Sequence, residues 1–258
     1  MNERASESNG KYINSIIRAS NILNLYRTLG VPALGISEIG RHLQMDKTTV
    51  FRVVKTLEAI GWLVQEENDS RYRIGPMLLL LSSVPTRSTA ADDAIQQEMR
   101  RLRTLFNEDV VLTTLVEGNI AVCIEKMKSN NALKIASNVG HVIDMTRGAS
   151  GKTLFAYLGP EEREAVIRRD RPNLSQEERR RLEASLADIR EKGYGVSTGE
   201  KDEGVTAVAV PILGKERTIL HTLSIVGEAN RMQKKGIRKM AGELLRTADY
   251  LENVLRAF

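Results

Sequence analysis

The sequence predicts an α+β chain in two parts, and three observations carry that prediction. Over residues 11–75, three helix-spaced apolar patterns are followed at once by two short strand-like runs. Over residues 92–258, alternating strand-like runs mix with amphipathic helices, which indicates an α/β domain with a largely antiparallel sheet. Between them lies a short apolar helix and the hinge-like run Pro85-Thr86-Arg87-Ser88-Thr89. A length of 258 residues suits one large or two ordinary domains, and 41% hydrophobic residues is a globular composition.

Residues 1–10 read as a disordered lead-in. The first helix carries Ile13, Ile16, Ile17, Ile22, Leu23, Leu25, Tyr26 and Leu29 and stops at Gly30-Val31-Pro32. A second, short helix is expected over 38–43, with Ser37 capping its free N–H groups. A third is expected over 47–60, with Val50, Val53, Val54 and Leu57 buried and Gly61 as its stop. Two strand-like segments, 62–64 and 71–74, are joined by a polar tip and form a hairpin. Three helices and a hairpin in that order are the layout of a winged helix-turn-helix. Gly75-Pro76 opens the next helix, because proline is tolerated in a first turn.

In the second part a helix is expected over 92–106, then paired strands over 110–116 and 120–126, and a further strand over 133–137. A helix over 150–158 follows. Residues 161–192 hold nine basic and nine acidic side chains, which fits two solvated helices laced by ion pairs. Strands are expected over 195–198, 204–210 and 218–226, and one long amphipathic helix from Arg231 to the end.

Composition narrows the function. The net charge of +5 permits a nucleic-acid partner without demanding one. Aromatics at 4% argue against a stacking platform for single strands. The single cysteine, Cys123, excludes an internal disulfide framework and a multi-cysteine zinc cluster, and its apolar surroundings suit a small buried hydrophobe. No run reaches the length of a membrane span and the N-terminus has no apolar signal core, so a soluble cytoplasmic protein is expected.

Catalytic constellations are incomplete. Gly151-Lys152-Thr153 lacks the glycine five positions earlier that a phosphate loop needs, since that position is Thr146. His42, His141 and His221 have neither metal spacing nor a triad neighbourhood, and the acidic turn at Glu200, Asp202 and Glu203 has no sequence partner. No catalytic residue, cofactor or metal is expected.

The third helix offers chemistry for DNA. Its second-of-two position across a short turn lets it enter a major groove while the preceding helix braces it. Thr48, Thr49 and Arg52 are the base-reading candidates: arginine forks onto guanine, and threonine brings a hydroxyl and a methyl. Lys47, Lys55, Arg71 and Arg73 are the candidates for phosphate and wing contacts. Within residues 41–55 four basic side chains oppose one acidic, a local charge of +3.

The run from Asp46 to Leu63 resembles the recognition helix of IclR-type transcriptional regulators, and Arg71-Tyr72-Arg73-Ile74-Gly75 resembles the end of their wing. The resemblance continues in order through Val139-Gly140, Ser150 to Ala156, Gly193-Tyr194-Gly195-Val196, Glu203-Gly204-Val205, Ala209-Val210-Pro211, Ser224-Ile225-Val226-Gly227 and Arg231. It implies a winged-helix head, a linker helix used in dimerisation over 76–91, and a GAF-like effector domain over 92–258. It also implies an effector pocket lined by Gly148, Ala149, Ser150, Ser197, Val205, Ala207, Ser224 and Val226. Two departures stand out: alanine at 207, where a cysteine is common, and Ile143-Asp144-Met145 in place of an apolar-proline entry. The expectation is a homodimeric or tetrameric repressor or activator that reads a near-palindromic operator and senses an organic acid or ring compound. Two alternatives stay open: an architectural DNA-binding protein without a ligand, and an enzyme using the 140–153 loop.

Overall fold

The computed structural model describes residues 12–67, 69–82, 90–116, 119–131 and 138–256. The chain forms two compact units, residues 1–87 and 88–258. The hinge-like run at 85–89 and the strand expected over 133–137 lie outside the described residues.

The first unit holds α1 (Asn14–Leu29), β1 (Ala33–Gly35), α2 (Ile36–Leu43), α3 (Lys47–Ala59), β2 (Leu63–Gln65), β3 (Arg71–Ile74) and α4 (Pro76–Ser82). Helix α1 ends where Gly30 turns left-handed, at φ 63°. One face of each of α1, α2 and α3 meets in a core of Ile22, Leu25, Tyr26, Ile39, Val50, Val54 and Leu57, closed by Leu34, Leu63 and Tyr72 from the strands. The Tyr26 hydroxyl donates to the Tyr72 carbonyl at 2.8 Å, so the one polar atom of that ring is satisfied inside the core. The cap of α2 differs from expectation. The helix starts at Ile36, and the Glu38 carboxylate reaches back to accept the Gly35 N–H at 2.8 Å, which leaves Ser37 inside the first turn. Strand β1 joins the hairpin, giving an antiparallel sheet in the order β1-β3-β2.

The second unit runs α5 (Ala90–Phe106), β4 (Asp109–Val116), β5 (Ile120–Met127), β6 (Val142–Ile143), α6 (Ala149–Ala156), α7 (Pro160–Asp170), α8 (Gln176–Lys192), β7 (Gly195–Thr198), β8 (Val205–Leu213), β9 (Ile219–Glu228), α9 (Ala229–Lys235) and α10 (Ile237–Arg256). The six strands form one sheet in the order β6-β5-β4-β9-β8-β7, with every neighbouring pair antiparallel. Each face buries its own core. On one, α5 and α10 cover Val110, Leu112, Val208, Val210, Leu223 and Ile225. On the other, Leu154 and Phe155 of α6 and Leu186 and Ile189 of α8 pack over Val111, Cys123 and Val226. The expected single C-terminal helix is two helices, because Gly236 takes φ 91° between α9 and α10. Arg231 and Lys235 of α9 both grip the fully buried Glu108 carboxylate at the start of β4. Burying that charge is tolerable only because it is paired twice.

Candidate nucleic-acid interface and ligand pocket

Asp46 starts α3 by accepting the Thr49 N–H at 2.8 Å. Hydrogen bonding from Thr49, with the side chain first, holds the Asp46 carboxyl below the usual carboxylate range. The pattern that buries Val50, Val54 and Leu57 turns Lys47, Thr48, Phe51, Arg52 and Lys55 to solvent, while Thr49 is half-buried beside the cap. Phe51 is 47% exposed, an apolar group among the polar ones on this face. Lys55 is the most constrained of the cations: its ammonium meets Glu58 at 2.6 Å and lies 5.8 Å from the centre of the Tyr72 ring. Hydrogen bonding to Glu58 pushes its pKa up.

The two wing arginines differ. Arg73 is exposed on β3. Arg71 is turned inward: its guanidinium donates to the Ala33 carbonyl at 2.8 Å and meets Glu38 at 3.0 Å. Glu38 therefore holds both the α2 cap and the wing arginine. Sequence reasoning missed this link because β1, the element that brings Ala33 to Arg71, is only three residues long.

The second unit contains an open-mouthed cavity of about 60 Å³ over the sheet face that carries α6. All eight residues named from the resemblance line it: Gly148, Ala149 and Ser150 at the start of α6, Ser197 on β7, Val205 and Ala207 on β8, Ser224 and Val226 on β9. Two glycines shape the entry to α6. Gly148 takes φ 75°, and a Cβ on Gly151 would lie 2.1 Å from the Asp144 carbonyl, so only glycine lets the 144–145 backbone pass.

Polar atoms converge on the α6 N-terminus. The Ala149 N–H donates to Ser197 Oγ at 2.9 Å, and Ser150 Oγ donates to Ser224 Oγ at 2.9 Å. Glu200 accepts from the Gly148 N–H at 3.1 Å and from Lys152 Nζ at 2.6 Å. Lys152, whose side chain is only 9% exposed, is thus a buried ion-pair partner, and the lysine of the incomplete phosphate motif is occupied by a carboxylate. Among the described residues no acceptor meets the N–H of Ser150 or Gly151, and the positive end of the helix faces the cavity. Arg147 and Lys201 line the mouth with Asp202. Asp144 is not in the lining; its carboxylate is spent on the Thr146 N–H and hydroxyl at 2.8 and 2.7 Å. Sequence reasoning missed Val111, Thr113, Ile143, Arg147, Lys201 and Asp202 as lining residues, and it left Glu200 without a partner.

Elsewhere, His42 is exposed and His221 is held in β9, where burial lowers its pKa. Among the described residues no cluster of three or more His, Cys, Asp or Glu side chains is arranged to hold a metal ion. Among them, too, no helix is long and apolar enough to cross a membrane.

Comparison with known proteins gives a consistent picture. Residues 87–253 match the model of the bacterial transcriptional regulator IclR C-terminal domain, and residues 15–67 match the IclR helix-turn-helix domain. The chain is 26% identical over 239 residues to the HTH-type transcriptional regulator KdgR of Escherichia coli K12, covering 91% of this chain and 90% of that protein. An IclR family regulator from Brucella abortus superposes with a TM-score of 0.83 at 19% identity, covering 98% and 96% of the two chains. An IclR homologue from Microbacterium hydrocarbonoxydans, crystallised with 4-hydroxybenzoate, superposes with a TM-score of 0.68 at 24% identity, covering 95% and 100%.

Proposed function

The chain belongs to the IclR family of bacterial transcriptional regulators, and from that premise we propose how it divides its work. Residues 11–75 form the DNA-binding head, 76–91 the linker helix and hinge, and 92–258 the GAF-like effector domain. Thr48, Thr49 and Arg52 read base edges in a major groove, while Lys47, Lys55 and Arg73 meet phosphates, with Arg71 setting the wing from within. The molecule works in the cytoplasm as a homodimer or a tetramer. Two heads engage half-sites of a near-palindrome about 34 Å, or a multiple of that, apart. The exposed side chains of Met77 and Leu81 on α4 support a linker contact between copies.

The effector is a small organic acid or ring compound. The observation that carries this is the cavity at the start of α6, where two free N–H groups and Arg147 face a space walled by Val111, Val205, Ala207 and Val226. Helix N-termini favour anions. The 4-hydroxybenzoate in the Microbacterium homologue supports the same chemistry.

The DNA reading is tested by selecting a binding site from random duplexes and measuring Arg52→Ala by fluorescence anisotropy. The variant is expected to lose about 1–3 kcal/mol on the selected site and to relax its base preference, with binding to random duplex little changed. Equal losses on both DNAs would remove Arg52 from base reading. For the sensor reading, Ala207→Phe fills the cavity. It is expected to abolish the change in DNA affinity that an acid-soluble metabolite extract causes in the wild type. A response that persists in Ala207→Phe would place effector binding elsewhere.

A further inference from the structure

Resting on the effector reading of this cavity, we propose that Thr113 is its specificity residue and that it selects an organic anion carrying a hydroxyl or carbonyl oxygen at the end remote from its carboxylate.

Thr113 lies on β4 in the cavity lining, and its side chain is fully buried. Its Oγ1 has no hydrogen-bond partner. Directly across the ladder stands Thr222 of β9, also fully buried, with Oγ1 also unpartnered. Residues directly opposite in an antiparallel pair share one face of the sheet. Two hydroxyls therefore share the cavity face of the sheet, Thr113 in the lining and Thr222 beside it on the neighbouring strand. An unpaired buried hydroxyl carries its full desolvation cost, so it is an unusual choice unless a ligand atom meets it.

The distance to the anion-favouring end follows from the strands. Ser150, at the start of α6, touches Ser224, and Ser224 pairs with Val111. Thr113 is two residues further along β4, about 7 Å at the rise of an antiparallel strand. That is the span from the carboxyl of a para-substituted ring acid to its far substituent. A threonine hydroxyl both donates and accepts, so it pairs with a ligand hydroxyl or a carbonyl. The walls between the two ends, Val111, Ala207 and Val226, supply no polar atom from their side chains and fit the carbon skeleton.

The full-length protein is titrated calorimetrically with two matched pairs: 4-hydroxybenzoate against benzoate, and ω-hydroxyhexanoate against hexanoate. In at least one pair the hydroxylated acid is expected to bind about 10-fold tighter. Thr113→Val, which keeps the side-chain shape, is expected to erase that difference while leaving the affinity of the plain acid unchanged. Thr113→Ser is expected to restore it. A thermal melt of each variant shows that the fold is kept, and Thr222→Val provides a second variant of the same hydroxyl pair, expected to weaken the preference. Equal affinity within both pairs, or a preference that survives Thr113→Val, overturns the role of Thr113 even where the acids bind and Ala207→Phe blocks them. Binding of none of the four acids at millimolar concentration also overturns it. The effector reading is judged separately by the response of Ala207→Phe to the metabolite extract.

Discussion

Arg71 and Arg73 look equivalent in the sequence, two positively charged side chains on one face of a strand. The structure separates them. Arg71 ties the wing to the α2 cap through Ala33 and Glu38, and Arg73 is left to solvent. The two alanine variants should therefore fail differently. Arg73→Ala is expected to lower the slope of log affinity against log salt by about 1 while leaving the melting temperature in place. Arg71→Ala is expected to leave that slope unchanged and to destabilise the head by about 1 kcal/mol, a modest figure because the ion pair is partly exposed. Salt titrations and thermal melts on the two variants check both. The pocket shows a similar gap between residue type and role. Thr113 and Thr222 carried no signal in the sequence, because only the β4–β9 register sets the two threonines opposite one another. Lys152 and Glu200 are 48 residues apart, and no local pattern brings them together.

At the scale of elements, legibility tracked length and periodicity. Helices α1, α3 and α5 carry several turns of apolar spacing, and the sequence placed them within a few residues. Strands β1 and β6, of three and two residues, are too short to show an alternation of period two. The break between α9 and α10 was hidden because an isolated glycine is tolerated in a helical pattern, and only its backbone angle shows the turn. Strand β9 carries one further consequence. Burial lowers the pKa of His221, and the nearby Asp92 opposes that effect without cancelling it. The unfolded chain takes up a proton near the ordinary histidine pKa of about 6.5, where the folded chain resists it. Stability from this group is thus fully present above that pH and declines as pH falls below it, by at most about 1.4 kcal/mol per pH unit. Melting temperatures between about pH 7.5 and 5.5 should fall more steeply for the wild type than for His221→Leu. Parallel curves would show that His221 is not the source.

For the whole molecule, the two units have separate cores and separate sheets. A fragment of residues 88–258 is expected to fold cooperatively, to retain ligand binding and to lose DNA binding. Circular dichroism, calorimetry and anisotropy on the fragment test this, and a molten or insoluble product would count against independent folding. Signalling between the units is then a matter of populations. Driving a two-state equilibrium from 1:99 to 99:1 takes about 5.5 kcal/mol of differential binding. Hydrogen bonds to a ligand and burial of its apolar surface contribute energies that sum toward that order. The mild net charge of +5 suits the same division, because the arginine-rich stretch over 161–192 is balanced by its own acids and the local excess falls on the α2–α3 face.

The sheet of the second unit also has mechanical consequences. One of its faces packs α5 and α10 over the central strands, while the other carries the cavity beside α6. Close-packed interiors resist compression, and internal voids are what pressure removes. The domain is therefore stiff on one side of its sheet and soft on the other. A ligand that occupies the cavity should diminish the volume lost on unfolding, so hydrostatic pressure would distinguish the filled protein from the empty one even where heat does not.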